Sequence, residues 1–577
     1  VRRSRLSALT GVVAVIGASL LGASTATAAP AAASADSTTG FIVLAEKGAS
    51  AQALADRLSA AGGTVRSVNT AIGMVSVSTT SGAFADQARA MAGVAGVAAD
   101  RSIGTTGVTR AKGPDPVEKE HVFQKSRANG SADLPAPPEG HDPLDGLLWG
   151  AEMVNAFEAH MTSGVTGDKV RVGILDTGVD GKHIDLRDNF NADLSRNFTT
   201  DMPDIDGPCE EADCTDAADV DDDGHGTHVA GTIAASLNGV GLSGIAPTAE
   251  IVNIRGGQDS GYFFLAPVVD ALTYAGDSGL DVVNMSFYVD PWLYNCLGGA
   301  PEDSEAAAAE QGTIIEAMTR ALDYANSKGV TLVGALGNNH EDLAKPRTDY
   351  SSPDYPDGAA YPRTIDNKTC FDLPVEGPHV IGVSALGPSE RKADYSNYTT
   401  DPTSGEIEVS APGGWYRDGL GTDSYRTNGN LILSTAPLHV LQATGEVDKN
   451  GNITKAGRDA GVMKACTNGK HQQRTAECGY YQWLQGTSMA APHASGVAAL
   501  AVAAHGSGSS AATFGLVPAT TRSILMGTAR DHACPEGGVM DYTNVGRNAE
   551  FTATCVGTPE FNGFYGAGIV DAMGVVQ

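Results

Sequence analysis

From residue 170 onward, apolar residues fall into short unbroken runs, separated by longer stretches with helical spacing. VRVGIL at 170–175 is one such run, and segments 251–254, 281–285, 330–333 and 380–383 repeat it. A strand covered on both faces has no side to turn to water, so such runs predict parallel strands buried between helices. Helical stretches are predicted over 227–237, 265–275, 314–328, 488–504 and 518–529. This alternation predicts an α/β fold with a doubly wound, mostly parallel sheet and helices on both faces. The ligand crevice of such a sheet lies at the carboxyl ends of its strands. Polar, Gly-rich segments near 290–312, 340–372 and 440–482 interrupt the pattern and are expected to be loops decorating the surface.

The N-terminal part is patterned differently. Strand-like runs at 41–44, 64–68, 74–77 and 94–99 flank helical stretches at 49–60 and 83–92. That βαββαβ order predicts a small ferredoxin-like α+β unit over 41–104. Ahead of it, Arg2, Arg3 and Arg5 precede an apolar run over 6–21 and an Ala-Thr-Ala triplet ending at Ala28. This predicts a secretory signal peptide over 1–28, followed by a flexible segment over 29–40. Residues 105–146 are rich in Pro, Gly and charge and read as an exposed linker, leaving the large α/β domain to 147–577.

Charge and cysteine content narrow the setting. The 68 Asp and Glu residues outnumber the 38 Lys and Arg, for a formal charge of −30. That balance argues against nucleic acid and against an anionic membrane as partners. No run after the signal segment is long and apolar enough to span a bilayer, so a secreted, extracellular mature form without a membrane anchor is expected, and a monomer. Eight cysteines fit an oxidising compartment, and the sequence neighbours Cys209–Cys214 and Cys466–Cys478 are the expected local pairs. Cys534–Cys555 and Cys296–Cys370 then follow by elimination, while sequence alone leaves about 105 connectivities open. No C-x-x-C occurs, which disfavours zinc and redox readings.

Three segments set reactive side chains at the ends of predicted elements. Asp176 ends the strand in GILDTGVD, His225 precedes a helix in DVDDDGHGTHVAG, and Ser488 opens a helix in GTSMAAPH. A serine hydroxyl becomes a useful nucleophile when an imidazole takes its proton and a buried carboxylate holds that imidazole's tautomer. The second segment also admits a metal reading through His225 and His228, but it lacks the His-Glu-x-x-His pattern. Asp221, Asp222 and Asp223 stand just before a helix start and are expected to face solvent there.

These motifs closely resemble the three catalytic motifs of subtilisin-like serine proteases (subtilases), in the chain order Asp, His, Ser used by subtilisin. The resemblance extends from Trp149 to the C-terminus, and residues 41–100 resemble the family's inhibitor-type propeptide. It implies that Asp176 orients the base, His225 acts as general base and acid, and Ser488 is the nucleophile. Asn338, in ALGNN, would donate its amide to the oxyanion, with the Ser488 N–H as second donor. The substrate would lie along Ser286, Phe287, Tyr288 and Gly337, with Tyr262 and Leu265 at a more distant subsite. Phe287-Tyr288 departs from the small glycine run usual in the family at the pocket for the residue before the scissile bond. The segment 237–244 corresponds to a calcium-binding loop of several subtilases but lacks a carboxylate, which puts that site in doubt; acidic loops near 213–223 offer other hard oxygen ligands. The implied function is a secreted serine endopeptidase made as an autoprocessed pre-pro-protein and acting on protein or peptide substrates. Its own propeptide would be an intramolecular inhibitor. No catalytic cofactor is implied, and a structural Ca2+ is left unassigned. The alternative is a catalytically idle binding protein of the same fold.

Overall fold

A computed structural model describes residues 39–100, 117–120, 135–345, 347–355, 358–467 and 477–577. The expected signal peptide, nearly all of the 29–40 segment and much of the 105–146 linker lie outside the described residues. Thr39–Ala45 (β1), Ala51–Ala60 (α1), Thr64–Asn69 (β2), Met74–Thr79 (β3), Phe84–Arg89 (α2) and Val94–Asp100 (β4) come first. The four strands form one antiparallel sheet in the order β2-β3-β1-β4, with Phe41 opposite both Val77 and Ala99. Side chains alternate across a strand, and β1 shows the consequence. Val43 and Ala45 pack under α1 and α2 with Leu54, Leu58 and Phe84, while Ile42 and Leu44 enter a second core shared with the larger part of the chain.

That larger part is built on Arg171–Leu175 (β5), Arg196–Asn197 (β6), His225–Ala234 (α3), Glu250–Arg255 (β7), Leu265–Asp277 (α4), Val282–Met285 (β8), Glu305–Ser327 (α5), Thr331–Ala335 (β9), Val380–Leu386 (β10) and Val409–Pro412 (β11). The seven strands form a parallel sheet in the order β11-β10-β9-β8-β5-β7-β6. The sheet buries both faces, as the unbroken apolar runs require. Val172, Ile174, Val333 and Val383 face Val229 and Ile233 of α3, whereas Leu175, Val252, Val283 and Leu332 face α4 and α5. The chain leaves β5 to one side for β7 and to the other for β8. The carboxyl end of β5 is therefore a topological switch point, and Asp176 stands there.

Ile432–Ala436 (β12), Met463–Cys466 (β13) and Cys478–Leu484 (β14) form a further antiparallel sheet, followed by Thr487–His505 (α6) and Pro518–Thr528 (α7). Three expectations need correction. The 440–482 segment carries β13 and most of β14 rather than loops alone. Helix α5 begins at Glu305, well before 314, because Ser304 caps it through a bond from Ala307 N and its alanine-rich first turns show no apolar face to read. Nor do the 290–312 and 340–372 segments merely decorate the surface. Trp292 and Arg363 are fully buried, with the guanidinium 4.6 Å above the Trp292 ring and bonded to Asp303 and Asp349. The four disulfides are Cys209–Cys214, Cys296–Cys370, Cys466–Cys478 and Cys534–Cys555, the pairs expected from sequence.

Candidate active site

Asp176 is fully buried beyond β5, its carbonyl accepting from both Gly256 N and Gly257 N. Its Oδ1 accepts from Thr177 N at 2.8 Å and lies 2.7 Å from His225 Nδ1. This approach requires glycine after His225. A Cβ on Gly226 would stand 2.1 Å from the Gly178 carbonyl and 3.0 Å from Asp176 Cβ. The start of α3 also needs partners for its free N–H groups. Asp221 supplies them, accepting from Gly224 N and Thr227 N at 2.9 Å each, from the Thr227 hydroxyl at 2.6 Å and from the Thr177 hydroxyl at 3.0 Å.

The acidic fringe therefore does not face solvent. Asp221 and Asp223 are buried, and half-buried Asp222 pairs with His439 at 3.1 Å. Burial, reinforced by Asp221, pushes Asp223 up to about 7, so it is no fixed full charge near neutrality. The other two motif histidines are engaged by backbone carbonyls. His228 Nε2 lies 3.2 Å from Ile432 O and His493 Nδ1 lies 2.8 Å from Met489 O.

Ser488 is the second residue of α6. Its hydroxyl donates to the Ser286 carbonyl at 3.4 Å, and Ser286 Oγ returns a bond to Ser488 O at 3.1 Å. Asn338 follows β9, and its Oδ1 accepts from Thr487 N and Thr487 Oγ1, both at 2.9 Å. Holding the amide oxygen in this way leaves Nδ2 toward the cleft, 3.5 Å from where a Cβ on Gly486 would stand. The expected substrate-side residues divide. Ser286 touches Ser488; Gly337 has φ +103° and donates to Thr487 Oγ1 at 3.1 Å. Phe287 stacks on Phe263 with centroids 4.0 Å apart, and the Tyr288 hydroxyl donates to Asp354 at 2.7 Å. Tyr262 is buried in an aromatic group with Phe264 and Tyr355, and Leu265 is buried at the start of α4.

One occupant of the cleft carries no sequence signal, because residues 117–120 read as a solvated charge run in a linker. Glu118 Oε1 lies 3.5 Å from His225 Nε2, and the same oxygen is 3.2 Å from the Gly486 Cβ position. The segment is tied to Gln485, whose N donates to Glu118 O at 3.3 Å and whose Nε2 donates to Val117 O at 3.0 Å. Glu120 pairs with Arg417 and, at 2.9 Å, with Arg547. Burial pulls His225 toward its neutral form, but Asp176 and Glu118 outweigh it and raise its pKa well above 6.5. Chemically, the cleft gathers an imidazole fixed by one carboxylate, a serine at a helix start and an amide donor.

The 237–244 loop is closed by protein groups. Asp142 accepts from Asn238 N and Gly239 N, and Asp185 from Leu242 N at 3.1 Å and Tyr481 OH at 2.7 Å. Two acidic groups elsewhere could hold a hard cation: Asp201 with Glu210 and Asp259, and Asp216 with Asp222 and Asp259. Both Asp201 oxygens are buried without a hydrogen-bond partner, which fits a cation, while Arg255 already supplies positive charge to Asp216 and Asp259. Among the described residues no helix is long and apolar enough to cross a membrane.

Comparisons with known proteins bear on the family and the fold. The chain is 29% identical over 368 residues to fervidolysin of Fervidobacterium pennivorans, covering 62% of this chain and 38% of that protein. It is 29% identical over 265 residues to a thermostable alkaline protease of Halalkalibacterium halodurans, covering 46% of this chain and 53% of that protein. It thus spans roughly 38–53% of the length of these two relatives. The epidermin leader peptide processing serine protease of Staphylococcus aureus superposes with a TM-score of 0.58 at 18% identity, over 94% of this chain and 98% of that one. The fervidolysin structure gives 0.52 at 22% identity, over 94% of this chain and 61% of that one; both show a shared fold. The model of the subtilase family matches residues 167–568, well over half of the chain, and the chain belongs to that family.

Proposed function

We propose that this chain is a secreted serine endopeptidase, made as a pre-pro-protein, that hydrolyses peptide bonds of protein or peptide substrates through an acyl-enzyme. The observation that supports the reading is that Glu118 Oε1 lies 3.5 Å from His225 Nε2 and 3.2 Å from the Cβ position of Gly486, two residues before Ser488, with Asn338 Nδ2 3.5 Å from that same position. With a peptide carbonyl there instead, His225 takes the Ser488 proton as the hydroxyl attacks. Asp176 holds the ring with Nε2 toward the serine and stabilises the imidazolium. Asn338 Nδ2 and the Ser488 N–H receive the oxyanion, and His225 passes its proton to the leaving amine. Water then releases the acyl group by the same steps in reverse.

In this reading residues 1–28 are the signal peptide, 29–40 a flexible segment, 41–104 a ferredoxin-like propeptide, 105–146 a linker and 147–577 the catalytic domain. The antiparallel sheet seated on α4 and α5 supports the inhibitor role of 41–104, and residues 117–120 in the cleft support a closed precursor. The N-terminal pattern and four disulfides support an extracellular, membrane-free mature form. Ser286, Phe287, Tyr288, Gly337, Tyr262 and Leu265 are proposed along the substrate path, with no metal in the chemistry. The test is expression of the chain beside Ser488→Ala. The parent is expected to shed its propeptide and hydrolyse casein, and the variant to remain an uncut, inactive precursor. Equal maturation and hydrolysis by the variant would sink the assignment. Absence of turnover in both would favour the idle binding protein.

A further inference from the structure

We propose that Asp372 makes the pocket for the residue before the scissile bond selective for arginine or lysine. This rests on the serine-peptidase reading above and names its substrate class.

The pocket walls leave the sheet side by side. β8 and β9 are parallel neighbours, with Met285 opposite Gly334, and each continues into a segment that touches the start of α6. Residues 286–289 begin with Ser286, bonded to Ser488, and residues 336–338 end with Asn338, bonded to Thr487. The proposed pocket is the gap between these two segments, next to Ser488. Asp372 and Leu373 lie against both segments. Leu373 O accepts from Val289 N of one wall at 2.8 Å, and Asp372 Oδ2 lies 3.4 Å from the Cβ position of Gly337 in the other. The backbone there is anchored. Cys370 is bridged to Cys296, and Glu376 N donates to Asp372 O at 2.8 Å while its carboxylate accepts from Asp372 N at 2.5 Å.

Asp372 is 3% exposed, and its Oδ1 has no hydrogen-bond partner. The cations nearby form no ion pair with it. Arg347 pairs with Glu341 at 3.0 Å and lies 4.0 Å over the Tyr294 ring, and Arg363 is bonded to Asp303 and Asp349. Among the described residues no ion pair satisfies Asp372. Burial, reinforced by Glu376 and Asp349 and opposed by Arg347, pushes Asp372 well above the usual carboxylate range, so a cation beside it would restore its charge. A buried carboxyl without a partner is costly, and a guanidinium or ammonium entering the slot supplies both charge and donors. A leucine or phenylalanine there would bury the same group unmatched, the situation in which polar sites discriminate most strongly. Tyr288, the bulky departure at this pocket, is anchored by Asp354. The linker that self-processing must cut carries Arg110, Lys112, Lys119, Lys125 and Arg127.

The test uses the processed chain on four fluorogenic peptides identical except for Arg, Lys, Leu or Phe before the scissile bond. Arg and Lys peptides are expected to exceed Leu and Phe by about 100-fold or more in kcat/KM. In Asp372→Asn that ratio should collapse toward one, mainly through KM. Benzamidine should inhibit the parent competitively, a readout that stands even if the variant does not fold. A parent that prefers Leu or Phe or shows no preference, an unchanged ratio in Asp372→Asn, or indifference to benzamidine would each overturn the proposal. A fluorophosphonate that labels Ser488 counts working sites independently of these peptides. Labelled enzyme with no basic preference overturns only the pocket assignment, whereas an unlabelled chain inert to all four peptides overturns the peptidase reading beneath it.

Discussion

His225 stands between two carboxylates, Asp176 at 2.7 Å on Nδ1 and Glu118 at 3.5 Å on Nε2. Burial favours the neutral ring, and the two acids together reverse that preference. Because the folded pKa is raised, the stabilisation from this clamp is complete below the ordinary value of 6.5 and fades as pH climbs through the raised value. In the uncut Ser488→Ala precursor, Glu118→Gln should lower the His225 pKa followed by imidazole NMR. It should also lower Tm more at acidic than at alkaline pH. An unmoved His225 titration would show that Glu118 does not reach the ring in solution. At this scale the sequence was half legible. Asp176, His225 and Ser488 stand in motifs because each must sit at an element's end with a fixed neighbour. Glu118 and Asp372 look like any loop acid, since what sets them apart is burial against groups far away in the chain.

Among the elements, α3 shows how closely backbone fit is bound to chemistry. Its first turn enters beside Asp176 only because residue 226 lacks a side chain, and Asp221 occupies its free N–H groups from below. Gly226→Ala must push the helix or the 176–178 loop aside, and a shift of about 1 Å in a reacting group costs on the order of 100-fold in rate. That loss in kcat/KM, measured on peptide substrate, is expected with the overall fold retained by circular dichroism; a near-parental rate would show that the turn can yield. The run Asp221-Asp222-Asp223 had the composition of a solvated fringe, yet a buried helix start claims Asp221 as acceptor. The early turns of α5 stayed hidden for the opposite reason. They are alanine-rich and largely exposed, so no apolar period marks them.

Across the whole molecule, the antiparallel N-terminal sheet and the parallel sheet's helices share a core. Ile42, Leu44 and Met74 pack with residues of α4 and α5, while Arg320 donates to Ala45 O at 2.8 Å and Ile72 O at 2.9 Å. Asn69 adds bonds of 2.8 Å to Asp270 and Thr273. On the proposed reading of 41–104 as a propeptide, Arg320→Ala should raise the inhibition constant of that segment against the processed chain by about tenfold, since a hydrogen bond from a charged group to a buried acceptor is worth about 1.5–3 kcal/mol. Unchanged inhibition would mean that the apolar contact alone holds the propeptide. The sequence by itself determined the parallel α/β core and the three reactive motifs, and it pointed to the disulfide pairs without fixing them. Buried strands must be apolar on both faces, and a reactive residue at an element's end needs fixed neighbours, so these features are written locally. Tertiary structure alone decided which acids are buried, that Glu118 lies beside His225 and that Asp372 is buried with an unpartnered oxygen. Those depend on contacts between segments tens to hundreds of residues apart, and no local pattern of polarity records them.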